Sequence, residues 1–408
     1  MKTPLPLFVL SLLIFTGIFQ NTQVQASDVT ATEPLRLELI AKGTEFLRGT
    51  QAEDGTWSAQ AGVGPTALAV VGLLRSGTDL DDPMVQRGMT FLLRSVRSDG
   101  GVYTEAGTWQ NYETSVALMA FAAANEAIEA RARKEFMDLN AVPDPEGIRL
   151  AAYGKRALEN SPYTPLLRNA ERFIRDAQFT GARGISIDDP FYGGAGYGRG
   201  RRPDLSNTQF FLDALIAAGA QPDDPAIQSA LVFVSRTQNL ESEHNTLPFA
   251  ARNPDGGFIY SAADQSSMAG YVIPDVPGSG LKSYGSMTYA GFKSLIYAGL
   301  TEEDPRFRAA LSWLQRHYTL DENPELGYMG LFYYYQTMAK TLRVFGRDHF
   351  KDADGTQHDW RADMIHMLAE RQLPNGAWVN AQQSRWMEGD PNLVTAYALL
   401  ALADCKIE

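Results

Sequence analysis

Glu113 lies in Trp109-Gln110-Asn111-Tyr112-Glu113-Thr114, at the start of a run of small and aliphatic residues. A carboxyl group held against an apolar cavity has its pKa raised and can act as a general acid. A first-turn glutamate is also favoured by the helix dipole, so the position is compatible with both roles. Aromatic residues are the second chemical feature. Trp109 and Tyr112 flank the glutamate, Tyr284 and Tyr289 share a later apolar run, and Tyr328-Met329-Gly330-Leu331-Phe332-Tyr333-Tyr334-Tyr335 is the densest stretch. Aromatic faces stabilise cations through their quadrupoles, and they also fill space between helix layers. Successive helical residues point about 100° apart, so only one or two of the last three tyrosines can face one cavity. Trp386, in Arg385-Trp386-Met387-Glu388-Gly389, precedes the helix start Asp390-Pro391 and is a candidate for a cavity mouth. The segment from Tyr192 to Arg202 joins glycines to arginines. Arg199 and Arg201 could grip an anionic group such as a diphosphate, because guanidinium binds such oxygens bidentately. A surface hairpin explains the same residues.

Several other chemistries are excluded or weak. Cys405 is the single cysteine, so no intrachain disulfide and no Cys-x-x-Cys zinc site can form. His349, His358 and His366 lie near Asp352, Asp354 and Asp359, but no pair has the helical spacing of a zinc site, and neither a metal nor a cofactor is expected. No Gly-x-Ser-x-Gly elbow occurs. The 408 residues include 36 Lys plus Arg against 48 Asp plus Glu, a net charge of −12 that argues against a nucleic-acid partner. With 44% apolar residues the chain can bury a large core, which rules out disorder as its main state.

The elements that must position these residues are six copies of one unit. Each has an amphipathic run ending in an anchor pair: Phe46-Leu47, Phe91-Leu92, Phe173-Ile174, Phe233-Val234, Trp313-Leu314 and Met367-Leu368. Five residues after the anchor stands Gln51, Gln178, Gln238 or Gln372 in four of the six. A glycine turn with an aromatic follows, as in Asp54-Gly55-Thr56-Trp57 and Asn375-Gly376-Ala377-Trp378, where glycine accepts positive φ. Then comes a second helix, apolar almost all round, that should be buried on every side. Six such pairs predict an all-α (α/α)6 toroid, six inner helices enclosed by six outer ones. An open solenoid would call for polar terminal caps, whereas the last run, Leu393 to Leu402, is as apolar as any. Variable spacing places insertions at 126–165, 181–203 and 241–282, expected as long loops carrying short hairpins at one end of the ring.

The first 26 residues read as an export signal: Lys2, an apolar core from Leu5 to Phe19, and Val24-Gln25-Ala26 before a cleavage site. The core falls short of the roughly 20 residues that span a bilayer. The expected organisation is a cleaved signal at 1–26, a linker at 27–36 and a single toroid domain at 37–408. The mature chain would be periplasmic or secreted, without a stable membrane span; a protein partner is not specified.

Gln51-x-x-x-Gly55-x-Trp57 and Gln372-x-x-x-Gly376-x-Trp378 match the glutamine-tryptophan repeat of squalene cyclases. With six helix pairs around them, the chain resembles the terpenoid cyclase and protein prenyltransferase repeat superfamily from roughly Leu37 to Ala403. The resemblance implies an α/α toroid with cyclase or transferase chemistry on isoprenoids. The Asp-x-Asp-Asp acid of such cyclases has one match, Asp79-Leu80-Asp81-Asp82, but it falls between Gly77 and Pro83, in a connection where it caps a helix. The zinc set of the prenyltransferases is missing. The expectation is therefore an exported ring with an aromatic cavity that binds or isomerises an apolar, isoprenoid-like ligand, with Glu113 as acid. Its walls would come from Trp109, Tyr112, Tyr284, Tyr289, Tyr333, Tyr334, Trp386, Arg199 and Arg201. Two alternatives stand beside it. One is a carbohydrate-active hydrolase or lyase, with Glu113 facing Asp188, Asp189, Asp213 or Asp264 at ~5–9.5 Å. The other is a non-enzymatic interaction scaffold.

Overall fold

A computed structural model describes residues 26–139 and 147–406. The expected signal, apart from Ala26, lies outside the described residues. Fourteen helices follow among those described. The first pair is α1 (Ala26–Thr50) and α2 (Gly64–Arg75), the second α3 (Pro83–Arg94) and α4 (Gln110–Leu139), with α5 (Ile148–Glu159) packed on α4. Then come α6 (Tyr163–Ala177) and α7 (Leu205–Ala217), and α8 (Pro225–Arg236), a short α9 (Pro248–Arg252) and α10 (Gly285–Tyr297). The last pairs are α11 (Pro305–Arg316) with α12 (Leu331–Phe345) and α13 (Trp360–Arg371) with α14 (Pro391–Asp404). Between α12 and α13 a small hairpin pairs Phe350–Lys351 with Gln357–His358.

Helix starts follow the Asp-Pro signals. The side chains of Asp82, Asp224, Asp304 and Asp390 each accept a hydrogen bond from the N–H two residues on, at 2.8–2.9 Å. Proline fills the first turn, where its missing donor costs nothing. Asp82 also takes both guanidinium nitrogens of Arg48, while Asp79 and Asp81 pair with Arg131. Asp79-Leu80-Asp81-Asp82 is thus a capping and tethering segment.

The inner helices close a ring: α2 packs on α4, α4 on α7, α7 on α10, α10 on α12, α12 on α14, and α14 back on α2. All six anchor pairs fall near the ends of the outer helices α1, α3, α6, α8, α11 and α13. In four of the six units the glutamine ties its outer helix to the next. Gln51 Nε2 donates to the Gly55 and Met84 carbonyls, Gln178 to Gly193 and Ala226, and Gln238 to Gly256 and Arg306. Gln372 does the same to Gly376 and, at 3.1 Å, to Leu39 on α1, joining the last pair to the first. Each motif tryptophan returns its indole N–H to its own outer helix, Trp57 to Leu47 and Trp378 to Leu368, both at 2.8 Å.

Two expectations change. Residues 27–36 form the first turns of α1 rather than a linker, and buried Arg36 fastens them to the Leu402 carbonyl of α14. The described residues of the insertion at 126–165 are mostly helix. The insertion connects the C-terminus of an inner helix to an outer one, so it sits at the opposite end from 181–203 and 241–282, which lead into inner-helix N-termini.

Candidate functional site

The six inner helices run in one direction, so six N-termini meet at one end of the ring. A cavity of about 310 Å³ occupies that end. Every inner helix contributes an N-cap, first-turn or second-turn residue to its wall, among them Pro65, Tyr112, Phe210, Tyr284, Tyr333 and Tyr397. The preceding loops add Tyr197, Tyr260, Met268 and the segment Trp386-Met387-Glu388. Aromatic rings run almost continuously around it: Tyr112 meets Phe210 at 5.4 Å and Tyr197 at 6.0 Å, and Tyr333 meets Phe210 at 6.2 Å and Tyr397 at 6.1 Å. The wall carries no lysine, arginine or histidine and one carboxyl group, Glu388. Trp109 and Trp386 are partly exposed and frame the mouth.

Glu388 is 1% exposed. Its Oε1 accepts the Tyr333 N–H at 2.8 Å, and its Oε2 accepts Asn380 Nδ2 at 2.7 Å. The carboxyl thus faces the N-terminus of α12, where Leu331 and Phe332 also present their N–H groups. Burial pushes its pKa up to about 7, although Asn380 and these N–H groups pull the other way. The loop holding it is strained. Trp386 and Met387 have φ of 57° and 65°, a left-handed conformation that costs non-glycine residues about 1–3 kcal/mol each. The Trp386 ring lies on Gly330, where a Cβ would come within 3.1 Å of it and φ is +65°.

Below the cavity the ring axis is polar. Gln209 Nε2 donates to the Tyr333 hydroxyl at 3.1 Å, and Gln209 Oε1 accepts from Lys293 at 2.6 Å. Lys293, 1% exposed, also pairs with Asp213 at 2.6 Å, whose other oxygen accepts the Tyr297 hydroxyl. Burial alone would raise the Asp213 pKa, but the Lys293 and Lys340 charges outweigh it and hold it low. Asp204, the N-cap of α7, takes the Asn207 N–H and side-chain amide, both at 2.8 Å. Burial lifts its pKa to about 6 against those bonds.

Of the residues singled out from sequence, Trp109, Tyr112, Tyr284, Tyr333 and Trp386 line the cavity. Glu113 does not. It is fully buried, with Oε1 on the Val63 N–H at 2.8 Å and Oε2 on the Thr104 N–H at 3.2 Å. Gly62, at φ +83°, leaves room for the carboxylate; a Cβ there would sit 2.0 Å from Oε1. Glu113 therefore fastens two turns. Tyr289 and Tyr334 pack together behind the wall, with rings 5.7 Å apart, and the Tyr334 hydroxyl donates to the Thr319 carbonyl. Arg199 and Arg201 are exposed and off the cavity, the former over the Phe173 ring, so they form no anion grip there. Asp188, Asp189, Asp213 and Asp264 also lie off the wall, and Asp264 pairs with Arg202.

Sequence reasoning missed Glu388, Asn207, Tyr197, Tyr260 and Tyr397. Glu388 acts 55 residues away in sequence, a distance no local pattern signals; its nearness to Trp386 was the available hint. Among the described residues no group of three or more His, Cys, Asp or Glu could hold a metal ion, and no helix is long and apolar enough to cross a membrane.

No protein-family model matches the sequence. No curated protein matches it. Among solved structures, a variant of the type II terpene cyclase MstE from Scytonema, in complex with geranylgeranyl dihydroxybenzoate as substrate, is 14% identical. The match covers 92% of this chain and 99% of that one, with a TM-score of 0.46. Another MstE variant, in complex with merosterolic acid A as product, is 14% identical over 92% of this chain and 98% of that one, TM-score 0.46. A protein from Actinoplanes is 14% identical over 91% and 99%, TM-score 0.41. At these values the likeness says nothing of activity, and the ring assignment rests on the helix packing and glutamine bridges of this chain.

Proposed function

We propose that the ring cavity binds an uncharged, apolar, isoprenoid-like molecule and that Glu388 moves a proton on it, which makes the protein an isomerase of the cyclase-like kind. One observation carries the reading: an aromatic cavity at six converging helix N-termini holds a single carboxyl group and no cation. A diphosphate would need arginine or lysine partners that this wall lacks. Glu388, with its pKa near 7, is substantially protonated at neutral pH. The α12 N–H groups and Asn380 receive the negative charge once the proton leaves. The tyrosine and tryptophan faces stabilise the cation left on the ligand, which then loses a proton from a neighbouring carbon to the Glu388 carboxylate to give the neutral isomer and restore the acid. The carbohydrate reading needs a second carboxylate across the cavity, and nothing in the wall favours it.

The test is incubation with farnesol, an uncharged isoprenoid alcohol, in D2O. With the protein equilibrated in D2O before the ligand is added, so that the acid carries deuterium, recovered molecules should gain deuterium with the native protein and none with Glu388→Gln. Equal deuterium with both proteins, or none with the native protein, would contradict the isomerase reading. Export belongs to the same proposal: protein recovered outside the cytoplasm should begin at Ser27, and retention of Met1 would contradict it.

A further inference from the structure

Two hydrogen-bonding groups in the wall are oriented by partners behind it. Lysine is donor-only, so Lys293 fixes Gln209 with its oxygen toward the ammonium and its amide nitrogen toward Tyr333. The Tyr333 oxygen accordingly accepts from Gln209, and its own proton is left to donate, either to Ser206 Oγ at 3.0 Å or into the cavity. Asn207, the next residue of α7, gives its amide nitrogen to Asp204, and its Oδ1 is consequently set as an acceptor. That Oδ1 is buried and has no hydrogen-bond partner, although Asn207 itself is only 2% exposed and lines the cavity. A buried unpaired acceptor is costly unless something satisfies it.

We infer that Ser206, Asn207 and Tyr333 form a subsite for one hydroxyl group, so that the ligand is an apolar alcohol rather than a hydrocarbon, an aldehyde or a charged ester. The inference rests on the ligand-binding reading above. A hydroxyl placed between them would satisfy both groups: its proton would go to Asn207 Oδ1 and its oxygen would accept from Tyr333. A carbonyl oxygen can take the tyrosine proton but leaves Asn207 Oδ1 unpaired. A hydrocarbon leaves both unpaired. Sites built to hydrogen-bond a ligand hydroxyl discriminate strongly against analogues that lack it. Without Lys293 nothing would stop the Gln209 amide from turning over, so the buried ion pair below the cavity acts as a positioning device for this subsite.

The experiment is a set of binding titrations with farnesol, farnesal and farnesene, read by quenching of Trp109 and Trp386 at the mouth. The intact protein should bind farnesol about tenfold or more tighter than farnesene, with farnesal in between. Asn207→Leu should erase the preference of farnesol over farnesal, and Tyr333→Phe the preference of farnesal over farnesene. These ratios are internal to each protein, so partial loss of folded material does not shift them, and circular dichroism of each variant checks the fold. Equal affinity for all three molecules in the intact protein overturns the subsite while leaving the apolar cavity standing. Unchanged ratios in both variants also overturn it. Failure of all three to bind contradicts the binding reading itself.

Discussion

Replacing Glu388 by glutamine should change stability in a way that depends on pH and reverses sign. In the folded protein the Glu388 pKa is near 7, above its ordinary 4.5, because burial disfavours the charged form. Between those two values the folded state binds more protons than the unfolded one, so stability falls as pH rises through the window. Full ionisation costs about 3 kcal/mol, at roughly 1.4 kcal/mol per pH unit. Glutamine escapes that cost but has one oxygen to offer. It keeps the Tyr333 N–H, and its amide nitrogen then opposes the donor of Asn380. That mismatch costs about 1 kcal/mol at every pH. The variant should thus be about 1 kcal/mol less stable than the native protein below pH ~4.5 and about 2 kcal/mol more stable above pH ~8. Asp204 titrates in the same range in both proteins and drops out of the difference. Urea unfolding across this range, comparing midpoints at unchanged slope, reads the effect directly. A difference that stays constant with pH would refute the assignment of a buried, protonated Glu388.

Three further outcomes follow from the packing. Gln372→Ala removes the Leu39 bond that joins the last unit to the first and the Gly376 bond within its own turn, and should cost about 1–3 kcal/mol in urea unfolding. The same change at Gln51, between consecutive units, should cost a similar amount. Lys293→Met strands Asp213 without its buried partner and should destabilise by about 3–5 kcal/mol, with much of the loss recovered in the Lys293→Met, Asp213→Leu double variant; an additive double variant would contradict the pairing. Glu113→Ala leaves the Val63 and Thr104 N–H groups unpaired and should cost about 2–4 kcal/mol of stability. It should leave farnesol binding intact, and a selective loss of binding would put Glu113 back at the cavity.

The ring was legible because it repeats. Anchor pairs, glutamines and glycine turns recur with local spacing, and each copy buries its apolar helix only by stacking on neighbours. The cavity's aromatic character was legible for the same reason, since Tyr112, Tyr284 and Tyr333 sit at the starts of inner helices and all inner helices start at one end. The acid was not. Glu113 has the right position along its helix, but its side chain turns to backbone N–H groups of two loops, Val63 before α2 and Thr104 before its own helix. Glu388 reaches the cavity through a loop whose left-handed residues Trp386 and Met387 have no sequence signature. Asn207 reads as one of four consecutive polar residues at the start of α7, and its role emerges only when Asp204 claims its nitrogen. Tyr334 follows Tyr333 by one residue and Tyr289 follows Tyr284 by five, shifts of helical phase enough to turn them behind the wall.

Native mass spectrometry with lipid extraction, on protein purified from the organism that makes it, tests the cavity most directly. A single uncharged apolar alcohol should leave with the protein at one copy per chain, and it should be lost when Met287→Trp fills the cavity. An empty protein, or the same molecule retained in the filled variant, would contradict a ligand site inside the ring.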